Sequence, residues 1–310
     1  MSSNKKNKPK LIVITGPTAS GKTSLAVKLA SDINGEIISA DSRQIYRGMD
    51  IGTGKDLNEY TLNNKKINYH LIDILNPNQD YSVYNFQKDF IGIYRQMVKN
   101  NVVPIVCGGT GLYIESILLD YDLSKKPPPN KELRDKLEKH DKKELLNIIK
   151  SLASLNQIEE MLLSTKKQII RNIEILKSDK SQKGIPFDPM KDDAIVIALD
   201  IDRELLREKI KERLLERVNN GMIEEVEKLL RDGLPMNRLD YFGLEYKYVG
   251  QYLRKEIEKE EMIQNLTTAI RKFAKRQRTW FRRMEKRGIK IHWIPYNDYN
   301  ALYDIIDNGS

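Results

Sequence analysis

The sequence predicts an α/β fold, a parallel sheet flanked by helices, with an all-helical block inserted into it. Three observations carry this. Short apolar runs alternate with helical spacing from residue 11 to residue 120, the pattern of strands joined by crossover helices. The stretch "DYDLSKKPPPN" at 120–130 ends that alternation, because consecutive prolines can continue neither element. Strand character returns only in "AIVIALDI" at 194–201.

The first strand is the apolar run "LIVIT" at 11–15, and 22–33 carries helical spacing through Leu25, Ala26, Leu29 and Ala30. Between them "GPTASGKT" matches G-x-x-x-x-G-K-[ST] in the strand, loop and helix context that the motif needs. The segment therefore reads as a phosphate-binding loop, and the sheet as one of P-loop NTPase type. Gly16, Pro17, Thr18, Ala19, Ser20, Gly21, Lys22 and Thr23 form the grip. Its glycines let the backbone turn N–H groups inward at an anion, and the helix N-terminus adds its positive end. Lys22 supplies a point charge to a diphosphate, and the Thr23 hydroxyl helps to hold Mg²⁺. A nucleotide such as ATP is the default ligand, but the loop alone does not choose between a diphosphate and a triphosphate.

Further strands are expected at 36–39, 70–74 and 102–107, with helices at 82–99 and 111–119. The second strand runs into "ISADSRQIYRGMDIGTGK". The carboxyl ends of strands in an open parallel sheet face the ligand crevice, so Asp41 sits where a general base could reach a substrate. Lys22 and Mg²⁺ would keep it ionised; the plainer reading is that Asp41 and Ser42 make a turn. "CGGTGLY" at 107–113 is a second glycine-rich turn before a helix. Its N–H groups and Thr110 could contact the same anion or another, although tight turns use glycine for steric reasons too.

Residues 130–178 show only helical spacing, and 178–189 is looser. This gives a core of residues 10–120 with 193–308, and a helical insertion over 121–192. Helices over 202–287 close the core, the last of them carrying "AIRKFAKRQRTWFRRMEKRG" at 269–288. At about 100° per residue, Ile270, Phe273, Ala274, Gln277, Phe281 and Met284 share one face, with Trp280 at its edge. The other face is nearly all Lys and Arg. A solvated face usually mixes signs, whereas this one suits a phosphate backbone, met by Arg271, Lys275, Arg278 and Arg282.

Composition narrows the classes. The chain has 310 residues and a net charge of +9, which admits a polyanionic partner. The single cysteine, Cys107, ends an apolar run and reads as buried packing, which suits a reducing compartment. The three histidines lie far apart and give no structural zinc site. There is no apolar run long enough to span a membrane, and Met1 to Lys10 lacks an apolar leader core. A cytoplasmic protein is expected.

Taken in order, "GPTASGKT" at 16–23, "DSRQIYRGMDIGTGK" at 41–55, "HLID" at 70–73, "GGTGLY" at 108–113 and "KRQRTWFRR" at 275–283 resemble the tRNA dimethylallyltransferases. The resemblance covers residues 10 to 290. It implies that the loop grips dimethylallyl diphosphate and that the prenyl group passes to N6 of adenosine 37, beside the tRNA anticodon, with Mg²⁺ required. It makes Asp41 the base that takes the N6 proton. Lys22, Thr23, Thr110 and Arg213 are assigned to the diphosphate or its transition state. It places the anticodon stem-loop against Asp41, Ser42, Arg43, Gln44, Thr110 and Arg134, and against Lys167, Gln168, Ile169, Ile170 and Arg171. A monomer is expected. The chain departs from the pattern at Gln168, where the family often has Arg, and at Glu245, where it often has Gly. The neighbouring readings are an adenylate isopentenyltransferase with a free nucleotide acceptor, a P-loop small-molecule kinase, and a nucleotide-dependent RNA-binding protein.

Overall fold

The computed structural model describes residues 11–119, 121, 127–178 and 190–308. Six strands form one sheet in the order β5-β2-β6-β1-β7-β8. They are β1 (Leu11–Thr15), β2 (Gly35–Ser39), β5 (Tyr69–His70), β6 (Val103–Gly108), β7 (Ala194–Asp200) and β8 (Ile291–Pro295), and every pairing is parallel. A small antiparallel pair, β3 (Thr61–Leu62) with β4 (Lys65–Lys66), lies outside that sheet. Central strands buried on both faces read as continuous apolar runs, and all five residues of β1 are buried. Ile12, Ile14, Ile37, Ile105 and Ile197 pack against Leu25 and Leu29 of α1 (Lys22–Ile33). Leu302 and Ile306 of α12 (Tyr299–Asn308) join the same cluster.

Two further helices carry crossovers: α2 (Val83–Lys99), opened by a Ser82–Asn85 capping box, and α3 (Gly111–Leu118). After β7 come α8 (Arg203–Asn219), capped by Asp202, then α9 (Met222–Arg231), α10 (Leu244–Leu253) and the 28-residue α11 (Lys259–Lys286). Their apolar faces meet in a second core with Ile45, Tyr46 and Met49.

The chain divides into two compact units, the sheet unit and residues 120–188. Within the second unit, α4 (Lys131–Leu137), α5 (Lys142–Leu152), α6 (Leu155–Glu159) and α7 (Lys166–Lys177) enclose Leu137, Leu145, Ile149, Ile169, Ile170 and Ile173. Asp141 and Thr165 open α5 and α7 with capping boxes, so among the described residues the expected helical block is four helices with defined starts. The looser stretch at 178–189 lies outside the described residues, apart from Ser178.

Two expectations are corrected. The strand expected at 70–74 ends at His70, because Leu71 and Asp73 take φ of 61° and 56°. The amides of Asp73 and Ile74 turn instead to the carbonyls of Gln44 and Ile45. The helices expected over 202–287 are four, with a 3₁₀ stretch at Met236–Phe242, and β8 adds an edge strand beyond them.

Candidate active site

At the carboxyl ends of β1, β2 and β6 the sheet unit opens into a cavity of about 540 Å³. Thr18, Lys22, Thr23, Asp41, Thr110 and Arg213 all line it, so the structure gathers the residues assigned to chemistry from four separate segments. Ala19 and Gly21 take φ of 61° and 83° as the phosphate loop curls. The Lys22 ammonium donates to the Pro17 carbonyl at 2.7 Å across that curl. Removal from water pulls the Lys22 pKa down to about 8; Arg213 pulls the same way, while Asp41 and Glu59 resist. An anion there would restore its charge. Ser20 adds a buried hydroxyl with no hydrogen-bonding partner among the described residues.

Asp41 follows β2, and one of its oxygens accepts from the Arg43 amide at 2.9 Å. The turn reading is therefore correct as far as it goes. The Thr110 hydroxyl accepts from the Ser42 amide at 3.0 Å, tying the second glycine turn to the Asp41 turn. Gln44 spans Ser39 and the Gly54 carbonyl, each at 3.0 Å. Cys107 is buried, and burial pushes its thiol up to about 12, so it is packing rather than a nucleophile.

The wall at 50–54 is held by residues that sequence reasoning passed over. Glu225 accepts from the amides of Asp50, Ile51 and Gly52 at 2.7 to 3.0 Å, and from the Tyr246 hydroxyl. Lys55, fully buried, bonds Asp50, Asp73 and the Tyr46 carbonyl. A buried charge persists only when paired in this way. Gly54, at φ 61°, leaves room for two guanidiniums; a Cβ there would lie 1.5 Å from an Arg217 nitrogen. Arg213 pairs with Asp56 at 2.5 Å, and Arg217 lies 3.8 Å from Glu245. Burial raises Glu245 and lowers Arg217 from their ordinary values, each partly offset by the other's charge.

The basic helix α11 has a different geometry from the one its charge pattern suggests. Ile270, Ala274, Gln277, Phe281 and Met284 are buried, whereas Phe273 is 39% exposed and lines the cavity beside Arg276 and Trp280. The charged side is not unopposed either, because acids from distant segments meet it. Arg278 pairs with Asp200 at 2.8 Å, Arg283 and Arg287 with the fully buried Glu115, and Arg271 donates to the Arg207 carbonyl. Arg282 pairs with Glu285 and lies over the Trp293 ring. Lys275 is exposed.

The remaining assigned contacts lie in the helical unit. Ile169 and Ile170, expected at the tRNA, are 0% and 3% exposed: their side chains are core of that unit and hold α7 in place. Gln168 closes the α7 capping box with Thr165. Arg134 grips buried Glu174 with two bonds of 2.7 and 2.8 Å, and Arg171 bonds Glu174 and the Pro127 carbonyl. Burial alone would raise the Glu174 carboxyl, but the bonds from Arg134, the Asn130 amide and Arg171 hold it below its usual range. Lys167 is exposed.

The model of the IPP transferase family matches residues 44–284, and that of isopentenyl transferases matches residues 9–72. A relative from Bacteroides fragilis named tRNA dimethylallyltransferase 2 is 48% identical over 92% of this chain and 92% of its own. One from Azobacteroides pseudotrichonymphae, named tRNA dimethylallyltransferase 1, is 47% identical over 96% of each. Among solved structures, the tRNA isopentenylpyrophosphate transferase of Bacillus halodurans superposes with a TM-score of 0.68 at 29% identity, covering 97% of this chain and 98% of its own. A eukaryotic dimethylallyltransferase described as acting on tRNA shares the fold, with a TM-score of 0.73 at 21% identity over 94% of this chain and 74% of its own.

Proposed function

This chain belongs to the IPP transferase family, that of the tRNA dimethylallyltransferases, and from that premise we propose how its cavity carries out the transfer. The protein is a prenyltransferase that modifies tRNA. Its donor is dimethylallyl diphosphate, and its acceptor is N6 of adenosine 37 in the anticodon stem-loop. The observation that carries the reading is the convergence of Lys22, Thr23, Asp41, Thr110 and Arg213 on one cavity.

The phosphate loop holds the diphosphate, with the Lys22 ammonium and loop amides neutralising it. The adenine N6 attacks C1 of the prenyl group. As the N6–C1 bond forms and the C1–O bond breaks, the diphosphate leaves with the electron pair and Asp41 takes the N6 proton. An exocyclic adenine amine is a weak nucleophile, so proton removal assists it, and cations at the departing oxygens stabilise the charge that builds there. Thr110 fixes the Asp41 turn beside the donor, and Arg213 adds a cation by exchanging Asp56 for the diphosphate. The adenine leaves its stack to reach such a recessed site.

Among the described residues no cluster of three or more His, Cys, Asp or Glu could hold a metal by itself. A Mg²⁺ ion bound through the Thr23 hydroxyl and diphosphate oxygens fits this donor set, since Mg²⁺ keeps most of its waters beside a phosphate. When bound it would supply charge neutralisation at the diphosphate. No described helix is long and apolar enough to cross a membrane. A cytoplasmic monomer, with Arg43, Lys167 and the outer face of α11 toward tRNA, completes the reading.

The test is incubation with dimethylallyl diphosphate and unmodified tRNA, followed by mass spectrometry of the nucleosides. Prenylated adenosine, with no turnover of ATP, is expected. ATP hydrolysis stimulated by a small alcohol, without transfer, would replace this reading with that of a kinase. Prenylation of free AMP in preference to tRNA would replace it with that of a cytokinin-type enzyme.

A further inference from the structure

Gln277 projects from the middle of α11 into the site, flanked by the buried Ala274 and Phe281, and is itself 7% exposed. Its carbonyl oxygen accepts from the Thr18 amide at 2.9 Å, inside the phosphate loop. Its amide nitrogen donates to the Gly109 carbonyl at 2.9 Å, inside the second glycine turn. One side chain thus satisfies a donor on one loop and an acceptor on the other, and a neutral amide can do both at once. The approach is close. A Cβ at Gly109 would lie 2.3 Å from the Gln277 nitrogen, and one at Gly111 would lie 2.4 Å from the Trp280 ring of the same helix.

We propose that Gln277 is a positioning residue for the transfer, the clasp that sets the phosphate loop and the Thr110 turn at their working separation. This rests on the functional reading above. Lys22 and Thr23 follow Thr18 on one loop, and Thr110 follows Gly109 on the other and holds the Asp41 turn through the Ser42 amide. The clasp therefore fixes the donor site against the base. It also belongs to α11, so the helix that carries the basic face sets the spacing of the chemistry.

The consequence is measurable in three variants. Gln277→Ala loses both bonds, which corresponds to roughly tenfold or more. The donor KM should rise and kcat should fall, while tRNA affinity stays within about twofold of wild type, since no phosphate-facing cation is removed. Gln277→Asn retains the amide but is too short for both loops, and should fall between alanine and wild type. Gln277→Glu gives a readout that a merely structural tie would not move. As a carboxylate it still accepts from Thr18 but has nothing to donate to Gly109. As a carboxylic acid it does both. Its activity relative to wild type should therefore climb as the pH falls through that carboxyl's pKa, whereas the alanine ratio stays flat. Wild-type donor KM and kcat in the alanine variant would overturn the proposal. So would a lowered melting temperature with unchanged kinetics below it, or a glutamate ratio with no pH dependence. Failure of the functional reading would be visible separately, as absence of prenyl transfer by the wild type.

Discussion

In the proposed transfer Asp41 and Lys22 divide the chemistry between proton and charge, and each can be tested alone. Asp41→Asn retains the acceptor for the Arg43 amide, and with it the turn, so it removes little but the base. Its kcat should fall by roughly 10²- to 10⁴-fold, with tRNA affinity preserved; near-normal turnover would return Asp41 to the turn alone. Burial pulls the Lys22 pKa down to about 8; a bound diphosphate should raise it, so binding above that pH should take up a proton. Pyrophosphate affinity, measured by calorimetry, should fall by up to about tenfold per pH unit above that pKa. Lys22→Arg, which stays charged, should lack the fall; identical profiles would place the lysine away from the anion. These two residues were legible because their motifs are local: a glycine loop before a helix, an acid after a strand. Gln277 was not. Its partners lie 259 and 168 positions away, and on a helical wheel it passes for one polar residue within a core face. Lys55 and Glu225 were hidden for the same reason, since nothing local to a buried ion shows what will neutralise it.

At the scale of elements, α11 shows what charge pattern can and cannot say. The wheel correctly placed Ile270, Ala274, Phe281 and Met284 inside. It could not show Asp200, Glu115 and the Trp293 ring arriving from elsewhere to meet Arg278, Arg283 and Arg282. Phosphates must compete with those partners. The double variant Arg278→Gln with Arg282→Gln should thus flatten the slope of log tRNA affinity against log salt by less than the roughly two units that two uncommitted cations would give. Lys275→Gln, at an exposed position, should cost close to the full value of about 0.9 for one contact on a duplex. An unchanged slope in both, with normal melting, would leave this face out of tRNA binding. Strands were legible where apolar runs are long, as in β1, β6 and β7. β5 was overextended because "HLID" reads as strand, although Asp73 turns to serve Lys55. β8 was missed because five residues after a basic helix carry too short an alternation to stand out.

For the molecule as a whole, the described part of residues 120–188 forms a compact helical unit whose apolar core is drawn from its own residues. Ile173→Ala in that core should cost about 2–5 kcal/mol of the unit's stability. Pyrophosphate affinity in the sheet unit should be unchanged, as read by calorimetry beside a thermal scan. Equal loss of both would mean that the two units unfold as one. Within the sheet unit, Glu225 should affect the timing of ligand capture. By gathering three successive amides it leaves the 50–54 wall little conformational freedom to surrender when a ligand arrives. That wall is a fixed jamb rather than a door. Diphosphate capture in a stopped-flow trace should accordingly be a single exponential whose rate climbs linearly with concentration, and Glu225→Gln, by loosening the jamb, should bend that line toward a plateau.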